Sequence, residues 1–352
     1  MTYRDDEKAR LVPLKEQLFS AAACTPGRYA GTERDYPYCL DKEHSAENLH
    51  VSIRSEAIRS FADRDIDWHD GIRERGSPMQ PSNHLCCSQS FCVNTWFPFV
   101  RAPAQLKQVL MDLGFDVEEV LPFDADEASG GGAVGYLAFE WIGQRNYLRE
   151  RKSGAIAPDW GRNRGKGFTS ADVAIRFRRK DGKIQIVLLE WKYTERYGTR
   201  SLRYSGSGTD RLDDIYRPEL THGGCPVRLP AGVDRSALFF DPFDQMMRLQ
   251  LLAAAMERSR EMGADVVSFA HATPAENHEL NGNITSAALQ AAGMTGSIHE
   301  VWRSLVPGDR FAALHTEDVV AAAVRHASEP TWATWMETRY GASDIGASLA
   351  LR

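Results

Sequence analysis

Two apolar runs near the middle of the chain, 171–177 and 184–193, are separated by charged residues and the pair Asp181-Gly182. Runs rich in Val, Ile and aromatic residues, divided by a short Gly-containing loop, predict a β-hairpin. A strict two-residue turn would pair Lys180 with Lys183 and set Asp172 opposite Trp191. A three-residue loop, Lys180-Asp181-Gly182 with Gly182 in the left-handed bulge position, shifts the pairing by one. Asp172 then faces Glu190, and Lys192 projects from the same face two residues on. That register gathers the polar groups on one face, with Val173, Ile175 and Phe177 on the other, and it is the register predicted.

Around the hairpin the pattern is mostly helical. Residues 134–151 carry Leu137, Trp141 and Leu148 at helical intervals and predict a helix with Glu140, Gln144 and Tyr147 along one side. Residues 156–167 read as a Gly- and Arg-rich loop or a short strand, and 197–232 as an irregular, substrate-gripping loop. Asp241 is placed to cap a helix with Pro242 at its first position, running to about Met262 and stopped by Gly263. Its stripe of Met246, Leu249, Leu252, Ala253 and Met256 predicts packing against a sheet. A short buried strand is expected over 264–270, with His271, Pro274, Glu276, Asn277 and His278 in the following loop. Helices are also expected over 5–20, 57–62, 84–100 and 106–113, the last ended by Gly114. In the third of these, 84–100, Ser88, Gln89 and Asn94 sit among apolar neighbours and need partners. Amphipathic helices close the chain at 298–305, 317–326 and 332–340, with Trp302, Trp332 and Trp335 as anchors.

Two carboxylates and an ammonium at the end of an apolar hairpin are costly to bury, and a divalent cation would relieve their repulsion. Asp172, followed by Glu190-Trp191-Lys192 at the end of an apolar strand, resembles the PD-(D/E)xK nuclease superfamily over about 135–271. Ala171 stands where that motif usually has proline. The resemblance implies an α/β fold with a restriction-endonuclease-like core: helix, mixed central sheet with a catalytic hairpin, helix, strand. Helical elaborations would lie at both ends of the chain. It also implies one or two Mg²⁺ ions, with Mn²⁺ able to substitute, held by Asp172, Glu190, the backbone carbonyl of Trp191 and Glu140. Lys192 would orient or deprotonate the attacking water, and Gln245 would lie beside the metal. His271 is read as a structural histidine ahead of a metal ligand or base. The alternatives are a nucleic-acid-binding module without turnover and an interaction protein with a chance motif.

Composition narrows the partners. The net charge of −6 conceals a segment, 141–217, with 18 Lys+Arg against 9 Asp+Glu. An excess of nine positive charges at the candidate site suits a polyanion. Arg145, Arg162, Arg164, Lys166, Arg196, Arg200 and Arg203 are the expected phosphate contacts, with DNA favoured over RNA. Cutting both strands of a duplex would favour a homodimer. The composition is that of a soluble globular chain, and no membrane span or signal peptide is expected, so the default location is the cytoplasm. His84, Cys86, Cys87 and Cys92 fit no common zinc spacing and are expected as buried apolar residues rather than ligands. Gly130-Gly131-Gly132 lacks the GK[ST] of a phosphate loop and reads as a connection. The expected division is 1–130 for a region of recognition or packing, 131–280 for the nuclease core and 281–352 for a helical region.

Overall fold

The computed structural model describes residues 2–29, 31–123, 135–152, 154–164 and 167–341. The glycine run 130–132 and Lys166 therefore lie outside the described residues. A mixed six-stranded sheet organises the chain, built from β1 (Val117–Val120), β2 (Leu137–Trp141), β5 (Ala171–Arg179), β6 (Ile184–Trp191), β7 (Val266–Thr273) and β8 (Phe311–His315). The two-residue strands β3 (Arg151–Lys152) and β4 (Ala155–Ile156) form a separate small ribbon. Strands β5, β6, β7 and β8 lie side by side, while β1 and β2 both pair with the outer edge of β5. The pairings of β5 are antiparallel, and β6–β7–β8 is parallel.

The central hairpin takes the predicted register. Val173 pairs with Leu189 and Arg178 with Ile184, so the ladder runs into a three-residue loop. Gly182 adopts φ +81° there, a conformation that costs glycine little, and its N–H closes the turn on the Arg179 carbonyl at 2.9 Å.

Each face of the sheet carries its own core. Val173, Ile175, Phe177, Val187, Leu189 and Trp191 pack beneath α1 (Tyr3–Leu18), α2 (Val51–Asp63), α3 (Ser88–Trp96), α4 (Pro103–Asp112), α10 (Thr316–His326) and α11 (Pro330–Tyr340). The other face packs Ala138, Ala174, Ile186, Leu188, Val267 and Phe269 against α6 (Phe243–Arg258) and α9 (Ile298–Leu305). The short helices α5 (Arg217–Thr221), α7 (His278–Asn281) and α8 (Ala287–Ala291) line that side.

Several local expectations are corrected. The helix predicted over 134–151 is strand β2 followed by loop. Leu137 and Trp141 are four apart on a run that is buried along its whole length, and such a run mimics a helical interval. Helix α6 begins at Phe243, and Asp241 does not cap it with its side chain; its carbonyl instead accepts from the Thr285 hydroxyl at 2.6 Å. The predicted stripe of α6 is buried as expected. Strand β7 extends to Thr273, so His271 is a sheet residue and not a loop residue. Within 197–232 the chain is helical over 212–221. The C-terminal region is not purely helical, because β8 joins the sheet.

Candidate active site

Register brings four titratable side chains into one row across the sheet. Phe139 pairs with Val173 and Trp141 with Ala171, which sets Glu140 beside Asp172. One step past the Val173–Leu189 pair, Asp172 meets Glu190. Glu190 pairs directly with His271. Cross-strand partners point to the same side of a sheet. Asp172, Glu190 and His271, on β5, β6 and β7, therefore share the face toward α6, while Glu140 on β2, whose positive φ breaks the alternation, stands beside Asp172 and bonds to α3.

The first turn of α6 closes the site over Glu190. Lys192 Nζ lies 2.6 Å from Glu190 Oε1 and 2.6 Å from Gln245 Oε1. Gln245 Nε2 donates to the same Glu190 oxygen at 2.6 Å. All bonding of Glu190 is thus on Oε1, and its Oε2 is buried without a hydrogen-bond partner. Asp172 Oδ2 accepts the Trp191 N–H at 2.6 Å. Glu140 accepts from Ser170 Oγ at 2.8 Å and from Gln89 Nε2, on α3, at 3.0 Å. Its φ of +49° is unusual for a non-glycine residue, and these two bonds help hold it there. Glu140, Glu190 and Lys192 are 8%, 3% and 6% exposed, whereas Asp172 and Gln245 keep partial access to solvent.

Burial and mutual repulsion set the electrostatics. Burial, then the charges of Glu190 and Glu140, raise the Asp172 carboxyl well above its ordinary proton affinity. Burial also raises Glu140; the Ser170 and Gln89 hydrogen bonds oppose the shift, and Glu190 adds to it. Burial disfavours the Lys192 ammonium, but Glu190 and further negative neighbours outweigh it, and Lys192 is held charged. The site is therefore crowded with negative groups and has one fixed cation.

A second network fixes the frame. Glu150 Oε1 accepts from the Thr169 hydroxyl at 2.6 Å and the Tyr216 hydroxyl at 3.1 Å, and its Oε2 accepts the Thr169 N–H at 2.9 Å. Arg248 bridges Thr169 Oγ1 (3.2 Å) to Asp244 Oδ2 (3.0 Å), which also receives Arg211 at 3.0 Å. This ties α6 and residues 211–216 to the residues just before Ser170 and Asp172.

The five side chains expected to do chemistry, Asp172, Glu190, Lys192, Glu140 and Gln245, come together. The basic set is divided. Arg162 turns inward and donates to the carbonyls of Ile142 (3.1 Å), Gly143 (2.8 Å) and Asp159 (3.1 Å), because the loop after β2 leaves those acceptors without ladder partners. Arg203 is committed to Asp210 in a bidentate pair, and Arg164 lies over the Trp141 ring at 4.6 Å. Arg145 and Arg200 are exposed, and Arg196 is exposed 3.6 Å from Glu279. Of the polar residues on α3, Gln89 supports the site, whereas Asn94 binds the Asn48 carbonyl and the His50 N–H as structure. Ser170, Glu150 and His299 were not marked as a site by any sequence signal, and His271 was read there as structural ahead of a metal ligand or base. Cys86, Cys87 and Cys92 are buried thiols, and His84 Nδ1 accepts the Cys86 N–H at 3.0 Å.

Among the described residues, no group of three or more His, Cys, Asp or Glu side chains is placed to hold a metal ion. The pair Asp172 and Glu190 could serve an open site for a hard divalent ion, which binds through one or two carboxylates and keeps several waters. The unpartnered Glu190 oxygen and the raised Asp172 both gain from a nearby cation.

A mixed sheet carrying Asp172 and Glu190-x-Lys192 on its central hairpin, with helices on both faces, defines a restriction-endonuclease-like protein. The chain belongs to the family described as restriction endonuclease associating with ARP, whose model matches residues 12–341. Comparison with curated proteins and with solved structures gives no match. No helix among the described residues is long and apolar enough to cross a membrane.

Proposed function

We propose that the protein is a metal-dependent nuclease that hydrolyses phosphodiester bonds in DNA. The observation that carries this reading is the buried, unpartnered Glu190 Oε2 beside Asp172, with Lys192 fixed as a cation two residues away. Asp172, Glu190 and the Trp191 carbonyl would hold Mg²⁺ or Mn²⁺, with Glu140 as a further carboxylate. The ion would lower the pKa of bound water and neutralise charge on the scissile phosphate. Lys192 orients the nucleophile and stabilises developing negative charge; its ammonium, paired with Glu190, favours that role over proton abstraction. Gln245 holds both Lys192 and Glu190 at the geometry the reaction needs. Arg145, Arg196 and Arg200 offer exposed contacts for the phosphate backbone.

The test is cleavage of supercoiled plasmid and of labelled single-stranded DNA and RNA with Mg²⁺, Mn²⁺ or EDTA. Wild type is compared with folded Asp172→Ala, Glu190→Ala and Lys192→Ala. Metal-dependent cutting lost in all three is the expected result, and cutting that survives them refutes the assignment. The family description names ARP as an associate. Cutting that appears only after ARP is added would make the proposed activity partner-dependent. Salt-sensitive DNA binding without cutting in either case would favour a binding module.

A further inference from the structure

Trp160 is the most exposed large apolar side chain among the described residues, at 80%. Lone apolar residues on a surface are common, but this ring is held outward by a braced loop. Gly161 takes φ +71°, which turns the chain back just after the ring, and Arg162 Nε closes the bend on the Asp159 carbonyl at 3.1 Å. Arg162 also ties the bend to the carbonyls of Ile142 (3.1 Å) and Gly143 (2.8 Å). Asn146 donates its N–H to Asp159 Oδ1 at 2.7 Å and its side-chain amide to the carbonyls of Glu150 and Ala157, both at 2.8 Å. The ring therefore stands on backbone that is already fixed, and ordering it against a partner costs little.

The place and charge of this loop fit one kind of partner. Trp141 pairs with Ala171, so the chain leaves β2 and returns to β5 at the end of the sheet where Asp172 lies. Across the described residues 144–161, Arg145, Arg149, Arg151 and Lys152 are exposed cations, and Asp159 is the one exposed acid. A flat apolar ring among cations matches the bases and phosphates of a nucleic-acid strand, whereas an apolar protein surface would have to desolvate those charges.

Resting on the nuclease reading, we propose that Trp160 stacks on an unpaired base of the strand held in the active site, so that the substrate is DNA already open there, as a single strand, a gap or a flap. Stacking needs a free base face. In an intact duplex each base is covered by its neighbours, and unstacking one costs about as much as a single ring returns. DNA with an unpaired base does not carry that cost. The cations hold the backbone whatever its strandedness, and Trp160 supplies the preference.

The experiment is binding of the full chain, in EDTA and low salt, to DNA carrying the fluorescent base 2-aminopurine in a single strand, in a gapped duplex or in an intact duplex. Wild type should bind the two open forms more tightly than the duplex and quench the 2-aminopurine emission. Trp160→Ala should weaken binding of the open forms about 5- to 150-fold, lose the quench, and leave both the salt slope and duplex binding within about twofold. Trp160→Phe should keep most of the affinity. The side chain is exposed, so neither substitution threatens the fold. Equal binding of open and duplex DNA by wild type, or open-strand binding and quenching unchanged in Trp160→Ala, would overturn the proposal. If metal-dependent cutting still requires Asp172 in that case, the nuclease reading survives. Loss of association with ARP in Trp160→Ala, with DNA binding intact, would overturn it in favour of a protein-docking role. No DNA binding by wild type would overturn both readings.

Discussion

Replacing Asp172 with Asn should make the metal-free protein more stable while removing its response to metal. Asp172 lies between Glu140 and Glu190 in the row, and cross-strand neighbours on one face are about 5 Å apart. At an effective dielectric of about 20, two unit charges at that distance repel by about 3 kcal/mol. The folded protein avoids part of this by holding a proton on Asp172, whose proton affinity is raised first by burial and then by those two neighbours. Below the ordinary carboxyl range both folded and unfolded chains carry that proton, and no cost arises. As the pH rises the unfolded chain releases its proton first, so stability falls until the folded carboxyl also ionises. Asparagine keeps an oxygen for the Trp191 N–H and carries no charge. The gain should be about 1–3 kcal/mol at pH 8, shrinking toward zero near pH 4. Urea unfolding in EDTA, followed by tryptophan fluorescence, measures it. Millimolar Mg²⁺ or Mn²⁺ should stabilise wild type and not the variant. A variant no more stable at pH 8, or a gain that does not change with pH, would refute the reasoning.

Four further outcomes are expected. Gln245→Ala removes the shared partner of Lys192 and Glu190 and should lower kcat by about tenfold or more with little change in KM, read from initial cleavage rates. Glu150→Ala leaves Thr169, Tyr216 and Arg248 short of their acceptor network and should cost about 2–4 kcal/mol in urea unfolding. Arg145→Ala and Arg200→Ala should each reduce the slope of log Kd against log salt by about one. Arg162→Ala should leave that slope unchanged while raising amide exchange over residues 157–164, because its side chain holds backbone carbonyls.

The hairpin was legible from its two apolar runs and the Gly-containing loop, and its register because one pairing alone collects Asp172, Glu190 and Lys192 on one face. Gly182 takes a positive φ there, as it would in a two-residue turn. Glu140 could be picked out as the sole acid within an apolar run, yet its element was misread. The run 136–142 is bounded by Gly135 and Gly143 and is short for a helix, and that length was the signal to weigh against the Leu137–Trp141 interval. Strand β8 escaped notice because its three central residues are only partly buried and give no clean alternation. The frame around the site was invisible for a different reason. Glu150 and Tyr216 are 66 residues apart, and Arg248 and Thr169 are 79 apart, and no local pattern encodes such pairings. The basic cluster shows the limit of counting charge: composition located it, but only geometry separates Arg162, which holds a loop together, from Arg145 and Arg200, which face solvent.

The first and last described helices hold each other. Arg10 donates to the Arg339 carbonyl at 2.7 Å, and Trp335 Nε1 donates to the Leu18 carbonyl at 3.2 Å. Arg339, wholly buried, reaches the carbonyls of Asn48 and Leu85. During synthesis, α1 and the segments around Asn48 and Leu85 leave the ribosome long before α11 does. The face of the sheet beneath α1, α3 and α10 must then wait for its last covering helix, which adds Trp332, Met336 and Tyr340 to the core, until the chain has passed residue 340. A nascent chain cut short before Pro330 would already contain every residue of the carboxylate row but would lack the last layer of the core beneath it. Completion of this core therefore waits on translation of α11, and products truncated before it should be insoluble rather than partly active.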